Sequence, residues 1–554
     1  MPLLIILFIS FSVPVSAAPR PKLVVLVALD QFRSDYLTRF ENLYLPAAAP
    51  GGKIGGFRYL MDKGAYFANT QTAHAPNVTG VGHAAMLTGA LPYLHGIVAN
   101  YWYDQALHEK FYCVQDAEAQ TIGGKGGEHT GRSPRTLLVT TVGDELKNAL
   151  GGKPRVVSIA LKDRASILMG GHRADIALWF DEEAKGWTTS SYYLSDKQLP
   201  SWLVDWNKSE YLGKKVPEQW QLLLPEKQYW LSTPMTPEMI GDGRGLGKKF
   251  PHSIAGRLAP FLTSPWANAF TFDTALRAVS ALKLGSGAAT DLLAISLSAF
   301  DAAGHNYGPL SHEMQDMALR TDRMLSDFLN SLSHQIPGGM SDVVVVFTAD
   351  HGVQPNPLLA AKLGLPGEAY HSADLADKGN VRLRALFGFD DSEKPIASVF
   401  EDNVAFDHAL FQKRGKDAGE AARALASWLR SQPSIAAAYS RGDLLEGRVP
   451  PTEVARRLAR SVHPERSGDV VFSMRPGYLG MDNHGYGGTE HESATVLDAS
   501  IPLIFVGKPF KPGRYADMAS LSDLAPTLSS VLGIIAPSGS EGHVLAKALR
   551  AAAQ

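Results

Sequence analysis

Residues 22–30, KLVVLVALD, decide the fold of this 554-residue chain. The run from Leu23 to Leu29 has no polar alternation, which is typical of a strand buried on both faces of a parallel or mixed sheet. Four further runs share this character: 155–161 (RVVSIAL), 292–297 (LLAISL), 343–347 (VVVVF) and 502–506 (PLIFV). Helical patterns lie between the runs. The order predicts an α/β sandwich with a central, mostly parallel sheet flanked by helices.

Two of the helical patterns carry capping signals. Residues 417–431 begin with Asp417, a candidate N-cap with Glu420 three residues on. In residues 521–532, either Ser522 or Asp523 is the candidate N-cap.

Two long stretches interrupt the alternation of strands and helices. The first covers about 170–260 and is rich in tryptophan, which predicts a compact insertion packed over one end of the sheet. A peripheral structural subdomain without substrate contact accounts for it equally well. The second, about 355–490, is charged and helical with a Gly/Pro-rich end. We expect residues 18–554 to form one domain that carries both insertions.

Composition excludes several classes of protein. The content of 45% apolar and 19% charged residues excludes wholesale disorder and a polytopic membrane protein. The 53 basic and 55 acidic residues argue against a nucleic-acid partner recognised by bulk charge. Cys113 is the only cysteine, so no intramolecular disulfide and no cysteine-rich zinc module can form. Any metal must be held by His, Asp and Glu.

The N-terminus is typical of a signal peptide. An apolar stretch from Leu3 to Val13 is followed by Pro14 and the small-residue sequence that ends at Ala17. The stretch is shorter than the roughly 18 apolar residues that a membrane-spanning helix needs. We therefore expect residues 1–17 to be removed, no stable membrane insertion, and a periplasmic or secreted protein.

Acidic residues and histidines follow the predicted strands. In open α/β sheets, sites form outside the carboxyl ends of strands, so these residues should meet at one edge. Singly, such an Asp commonly caps a turn, and a lone His is commonly structural. Together, oxygen and imidazole ligands suit zinc better than manganese or iron, and there are enough for two ions, the usual arrangement in phosphoryl transfer. The residues are Asp30, Asp301 and His305 in AFDAAGHNYGP, Asp350 and His351 in VFTADHG, and His491 in GYGGTEHESA.

A candidate nucleophile lies in residues 74–96, HAPNVTGVGHAAMLTGALPYLHG. Thr79 precedes two glycines and an apolar sequence, which predicts a loop-to-helix junction, and helix N-termini favour anions. The threonine is either a helix N-cap or a nucleophile whose hydroxyl is activated by a metal ion.

Taken together, these segments resemble the alkaline phosphatase superfamily. Their order and spacing are similar to those of the phosphate-irrepressible periplasmic alkaline phosphatases of the PafA type, over nearly the whole mature chain. Related nucleotide pyrophosphatase/phosphodiesterases share most of the set. The resemblance includes LHGIVANYWYD, which contains Asn100, and IALKDRASILMGGH, which contains Lys162 and Arg164.

The resemblance implies two zinc ions per chain and the residues that hold them. A lysine stands where better-known alkaline phosphatases bind magnesium, so two zinc ions suffice. The implied assignment is Asp301, His305 and His491 for one zinc, Asp30, Asp350, His351 and the Thr79 oxygen for the other, and Asn100, Lys162 and Arg164 for the phosphoryl oxygens.

The chemistry of Lys162 and Arg164 agrees with this assignment. They end the sequence IALKDR, and the i, i+2 spacing predicts that both side chains point to the same face of an extended chain. Arginine can grip two phosphoryl oxygens, whereas lysine is a compact point charge. The alternative is that Lys162 and Arg164 are two solvated cations on the surface.

The leading hypothesis is an exported alkaline phosphatase that hydrolyses phosphate monoesters by double displacement through a phosphothreonine. The runner-up is a phosphodiesterase or nucleotide pyrophosphatase with the same site, which would depend less on Lys162 and Arg164 because a diester carries one negative charge. A sulfatase is disfavoured because Thr79 cannot form its aldehyde nucleophile and Cys113, in FYCVQD, lacks the C-x-P-x-R context. A non-catalytic metal or phosphate binder is the remaining alternative.

Overall fold

The computed structural model describes residues 20–125, 131–241, 243–254, 256–481 and 487–550. The predicted signal peptide at residues 1–17 lies outside the described residues. Among the helices of the described ranges, none combines the length and the apolar character needed to cross a membrane.

A ten-stranded sheet forms the centre of the fold. The central strand Leu23–Leu29 is buried along its whole length and pairs in parallel on both sides, which explains why it shows no polar alternation. Five adjacent strands, from Val343–Thr348 to Ile176–Asp181, run parallel. The predicted α/β sandwich with a mostly parallel sheet is confirmed. In spatial order the strands are Gly513–Ser520, Ala65–Gln71, Ser500–Val506, Val343–Thr348, Leu23–Leu29, Asp291–Leu297, Val156–Ala160, Ile176–Asp181, Gly186–Ser190 and Thr121–Ile122.

Helices flank this sheet. The longest, His312–Gln335, buries an apolar stripe against Pro265–Leu282. The predicted helix at 521–532 begins with a 3-10 turn, Leu521–Asp523, whose N-cap is Ser520. Asp523, one of the two predicted candidates, is the N-cap residue of the α-helix Leu524–Leu532 that follows, although its side chain makes no capping hydrogen bond to that helix. The other helices beside the sheet are Asp35–Arg39, Phe57–Lys63, Thr79–Thr88, Pro92–His95, Val142–Ala149, Asp163–Gly170, Leu258–Leu262, Ala299–Tyr307, Val496–Ala499 and Leu524–Leu532.

A second, smaller sheet lies within the charged stretch at 355–490 and has an apolar core of its own. Asp417 accepts hydrogen bonds from the N–H groups of Gly419 and Glu420, so its predicted capping role is confirmed. The strands, in spatial order, are Ile396–Phe400, Asn403–Phe406, Val470–Met474 and Ile435–Ser440, and Glu368–Tyr370 pairs separately with Tyr478–Gly480. The helices are Pro357–Lys362, Ser372–Phe387, His408–Lys413, Ala418–Arg430, Arg441–Leu445 and Glu453–Ala459.

The tryptophan-rich stretch at 170–260 has two parts. Its strands Ile176–Asp181 and Gly186–Ser190 extend the central sheet. The remainder, with the helices Ser201–Asn207 and Tyr211–Lys215 and the paired strands Gln219–Trp220 and His252–Ser253, packs against the core. The boundaries of the two insertions stay a prediction.

One buried carboxylate ties the second part of this stretch to the long helix. Asp316 Oδ1 accepts a hydrogen bond from Trp220 Nε1 at 2.6 Å. Asp316 Oδ2 accepts from the Leu223 N–H at 2.7 Å and from Tyr229 Oη at 2.5 Å. Asp316 has no exposed surface, so its loss would leave these donors without an acceptor.

We expect Asp316→Ala to lower the free energy of unfolding by about 2–4 kcal/mol, because each unpaired buried donor costs on the order of 1–3 kcal/mol. The exposed Asp327→Ala on the same helix is the matched control and should change stability by less than about 0.5 kcal/mol. Denaturant unfolding followed by tryptophan fluorescence measures both. Equal effects of the two substitutions would contradict this role of Asp316.

Candidate active site

Three buried carboxylates meet at the carboxyl edge of the parallel strands. Asp30 directly follows the strand Leu23–Leu29, and Asp350 lies two residues beyond Val343–Thr348. Asp301 lies in the first turn of the helix that follows Asp291–Leu297. None of the three is more than 4% exposed. The sheet therefore collects negative charge where water is largely excluded.

The first group of side chains consists of Asp30, Asp350 and His351. His351 Nε2 lies 3.2 Å from Asp350 Oδ2 and 3.7 Å from Asp30 Oδ1. These three atoms are buried, and none has a hydrogen-bond partner among the described residues. Burial, followed by the neighbouring charge of Asp350, raises the pKa of Asp30 well above its usual value. The group offers three ligand atoms for a cation.

The second group lies around Asp301. His305 Nε2 is 3.1 Å from Asp301 Oδ1, and His491 Nε2 is 3.7 Å from the same oxygen. His351 stacks on His491 with ring centroids 3.7 Å apart, so the two groups adjoin. Ligand atoms also converge within 4.8 Å in the sets Asp301–His351–His491 and His305–Glu490–His491, and Glu490 was not predicted.

The hydrogen bonds of the three histidines fix how their rings can bind a metal. In each ring Nδ1 lies against a backbone carbonyl, which can only accept, so Nδ1 carries the proton and the Nε2 lone pair remains available. Carboxylate oxygens and imidazole nitrogens presented in this way fit zinc. The pairs are His305 with Thr489 at 2.9 Å, His351 with Gly352 at 2.9 Å, and His491 with Asn77 at 2.6 Å.

Thr79 and Lys162 adjoin the acidic cluster. The helix Thr79–Thr88 begins at Thr79, as predicted, but its N-cap is Val78 and has no side-chain bond, so the alternative of Thr79 as the N-cap is wrong. Lys162 Nζ donates to Thr79 Oγ1 at 3.1 Å and lies 2.7 Å from Asp30 Oδ2 and 2.6 Å from Asp301 Oδ2. Burial alone would lower the pKa of Lys162, but the two carboxylates outweigh it and raise the pKa.

Arg164 lies in a helix and not in the extended chain that was predicted. The strand ends at Ala160 and the helix Asp163–Gly170 begins after Lys162, so the prediction that Lys162 and Arg164 share one face of an extended chain is wrong. Lys162 is the N-cap residue of this helix, so the chain changes from strand to helix between the two side chains. Arg164 Nη1 donates to Tyr112 Oη at 3.2 Å, and that hydroxyl donates to Asp163.

Asn100 lies beside the first turn of the Thr79 helix. Its side-chain oxygen accepts a hydrogen bond from the Gly80 N–H at 2.8 Å. Its Nδ2 donates to Glu401 Oε1 at 2.9 Å. The structure therefore brings Asn100 next to the candidate nucleophile, although the two are 21 residues apart in sequence.

Sequence reasoning missed two residues that hold this arrangement, Gln31 and His83. Gln31 donates through its backbone N–H to Asp350 at 3.0 Å and through Nε2 to Asp301 at 2.9 Å. His83 Nδ1 lies 2.8 Å from the Thr79 carbonyl and 3.3 Å from Asp350 Oδ2. Signals for both were present, because Gln31 adjoins Asp30 and His83 is one helical turn after Thr79.

Comparison with known proteins agrees with this architecture. A family model for type I phosphodiesterase/nucleotide pyrophosphatase matches residues 24–495. The alkaline phosphatase PafA of Elizabethkingia meningoseptica is 33% identical over 543 residues, which cover 96% of this chain and 95% of that protein. The alkaline phosphatase PhoV of Synechococcus elongatus is 34% identical over 537 residues, which cover 96% and 93%. The crystal structure of wild-type PafA superposes with a TM-score of 0.88 over 97% of this chain and 100% of that chain.

The fold is that of an α/β enzyme of the alkaline phosphatase superfamily. Within it, the chain belongs to the type I phosphodiesterase/nucleotide pyrophosphatase family. The family predicted from sequence is confirmed, and so is the prediction of an enzyme of the alkaline phosphatase type.

Gly82 allows the Thr79 helix to approach the Asp350 turn. A Cβ at Gly82 would lie 2.4 Å from the Asp350 carbonyl oxygen and 2.7 Å from its Cβ, closer than atoms can pack. We expect Gly82→Ala to displace the turn, with a loss of about 1–3 kcal/mol of stability and weaker retention of bound metal. Melting curves and metal analysis after dialysis against a weak chelator measure both effects.

The matched control is Gly442→Ala, also within a helix, where an added Cβ meets nothing within 4 Å. The control should keep both the melting temperature and the metal content of the wild type. If Gly82→Ala matched the control in both measurements, this packing account would be refuted.

Proposed function

We propose that the enzyme is an exported two-zinc alkaline phosphatase that hydrolyses phosphate monoesters through a phosphothreonine at Thr79. The observation that carries the proposal is the position of Lys162 Nζ, within hydrogen-bond distance of Thr79 Oγ1 and paired with Asp30 and Asp301. The names of the relatives PafA and PhoV support the activity. The N-terminal sequence supports export to the periplasm or outside the cell.

The proposed ligands are those that the sequence pointed to. Asp30, Asp350, His351 and the Thr79 oxygen would hold one zinc, and Asp301, His305 and His491 the other. Glu490 is an additional candidate, because its carboxylate converges with His305 and His491. When bound, the two zinc ions would supply positive charge for the phosphoryl oxygens and lower the pKa of oxygens that coordinate them.

The cations of the chain favour a dianionic substrate. Lys162 already pairs with Asp30 and Asp301, so it neutralises part of the acidic cluster. Because of this pairing, divalent ions held there would keep more of their charge for the substrate. A phosphate monoester brings two negative charges and a diester one, so the arrangement favours the monoester.

Each side chain of the site has its own role in the reaction. Thr79 gives up its hydroxyl proton to solvent, and its oxygen attacks phosphorus in line while the bond to the leaving oxygen breaks. The departing alkoxide takes a proton from water and leaves as an alcohol. The hydrogen bond from Lys162 stabilises the negative charge on the Thr79 oxygen before attack. Asn100 and Arg164 contact the equatorial phosphoryl oxygens, which carry charge in a loose transition state. Water then cleaves the phosphothreonine, which releases phosphate and restores Thr79.

A phosphodiesterase is the second candidate, because the family model that matches residues 24–495 bears that name. Lys162 is the discriminating residue. A diester needs less compensating charge and more room for its second substituent.

The test compares an aryl phosphate with its methyl diester on zinc-loaded protein. We expect the monoester to have the higher kcat/KM and Thr79→Ala to abolish turnover of both. Lys162→Ala should reduce monoester turnover about 100-fold or more, because it removes a charge aimed at the transition state, and diester turnover less. The exposed Lys153→Ala is the charge-matched control and should behave as the wild type. Faster diester hydrolysis that survives Lys162→Ala would make the enzyme a phosphodiesterase instead.

A further inference from the structure

We propose that Glu401, which the smaller sheet contributes, is a positioning residue that holds Asn100 in place for phosphoryl binding. The inference rests on the proposed function, because it takes Asn100 as a phosphoryl contact. Glu401 lies in the turn between the strands Ile396–Phe400 and Asn403–Phe406, about 300 residues from Asn100 in sequence.

The contact between the two residues uses both carboxylate oxygens. Glu401 Oε2 accepts from the Asn100 backbone N–H at 2.6 Å, and Oε1 accepts from Asn100 Nδ2 at 2.9 Å. Glu401 is 7% exposed, so water competes little for these bonds. Two bonds to one carboxylate fix both the backbone and the side chain of Asn100.

The remaining bond of the Asn100 amide sets its orientation. Its Oδ1 accepts from the Gly80 N–H at 2.8 Å, directly after Thr79. A backbone N–H only donates and a carboxylate only accepts, so the amide cannot be flipped. Nδ2 carries two protons and Glu401 takes one, which leaves the second for a phosphoryl oxygen.

The turn that carries Glu401 is a two-residue β-hairpin turn, because Phe400 pairs directly with Asn403. Glu401 and Asp402 have φ values of 45° and 60°, in the left-handed region that residues other than glycine rarely adopt. Positive φ at both central residues is the usual geometry of such a turn, and it fixes the backbone from which the Glu401 side chain extends. Here Asn403 Nδ2 donates to the Glu401 carbonyl at 2.9 Å.

Aromatic packing places the turn against the segment that contains Asn100. The Phe400 ring meets the Tyr101 ring edge-on at 5.6 Å, and Lys110 Nζ lies 4.1 Å above the Phe400 ring. Tyr101 directly follows Asn100, so the smaller sheet docks beside the candidate active site. The smaller sheet thereby brings the Glu401 carboxylate to the candidate active site.

A double-mutant cycle tests the proposal on zinc-loaded, full-length protein with an aryl phosphate. Glu401→Ala should lower kcat/KM about 10- to 100-fold by freeing Asn100. Glu401→Gln, which keeps one acceptor oxygen, should lower kcat/KM less than Glu401→Ala does. In the Asn100→Ala background, Glu401→Ala should cost almost nothing further, because the residue through which it acts is gone. If the kcat/KM losses of the two single variants multiplied in the double variant, Glu401 would act independently of Asn100, and the proposal would be overturned.

Lys110→Ala is the control for the packing of the turn, because it removes the contact with Phe400 and leaves the Glu401–Asn100 bonds in place. It should keep the wild-type kcat/KM, and a loss equal to that of Glu401→Ala would contradict the proposal. If Glu401→Ala does not fold, the cycle is run with Glu401→Gln and read in the same way.

Binding of inorganic phosphate, measured by calorimetry, separates this inference from the proposed function. Glu401→Ala should weaken phosphate binding in the wild-type background and leave it unchanged in the Asn100→Ala background. If the wild type does not hydrolyse monoesters, the proposed function fails. Phosphate binding by the four variants still tests whether Glu401 acts through Asn100. If the wild type hydrolyses them but neither readout shows coupling, the inference alone fails.

Discussion

The burial of Asp30, Asp301 and Asp350 at one edge of the sheet is the constraint on which the rest of the site depends. A carboxylate removed from water is costly unless a cation or several donors compensate it. Lys162 pairs with two of the three, and Gln31 donates to Asp301 and Asp350. The compensation by the chain is incomplete, because Asp30 Oδ1 and Asp350 Oδ2 are buried without a hydrogen-bond partner among the described residues. A buried acidic cluster with incomplete compensation is suited to binding cations.

The sheet and most of the cluster could be predicted from sequence because they follow from local patterns. A strand paired in parallel on both sides has no solvent face, so Leu23–Leu29 contains no alternating polar residues. Parallel strands end at the same edge, so Asp30 and Asp350 had to approach one another. His491 joins them because it precedes the antiparallel strand Ser500–Val506, which begins at that same edge.

Other parts of the site depend on long-range packing that leaves no sequence signal. Arg164 was expected in an extended chain, but the chain turns into a helix at Asp163. Tyr112, which contacts the guanidinium, belongs to a separate hairpin formed by the strands Tyr101–Asp104 and Glu109–Tyr112. Glu401 comes from a turn in the smaller sheet, and only the docking of that sheet brings it to Asn100. The spacing of residues along the chain contains no information about either contact.

The most direct test of the account is anomalous diffraction at the zinc edge from crystals of the zinc-loaded enzyme. The account predicts two strong peaks, one among Asp30, Asp350 and His351 and the other among Asp301, His305 and His491, with Thr79 beside the first. A single peak, or peaks away from these side chains, would contradict the claim that the buried carboxylates are arranged around two metal ions.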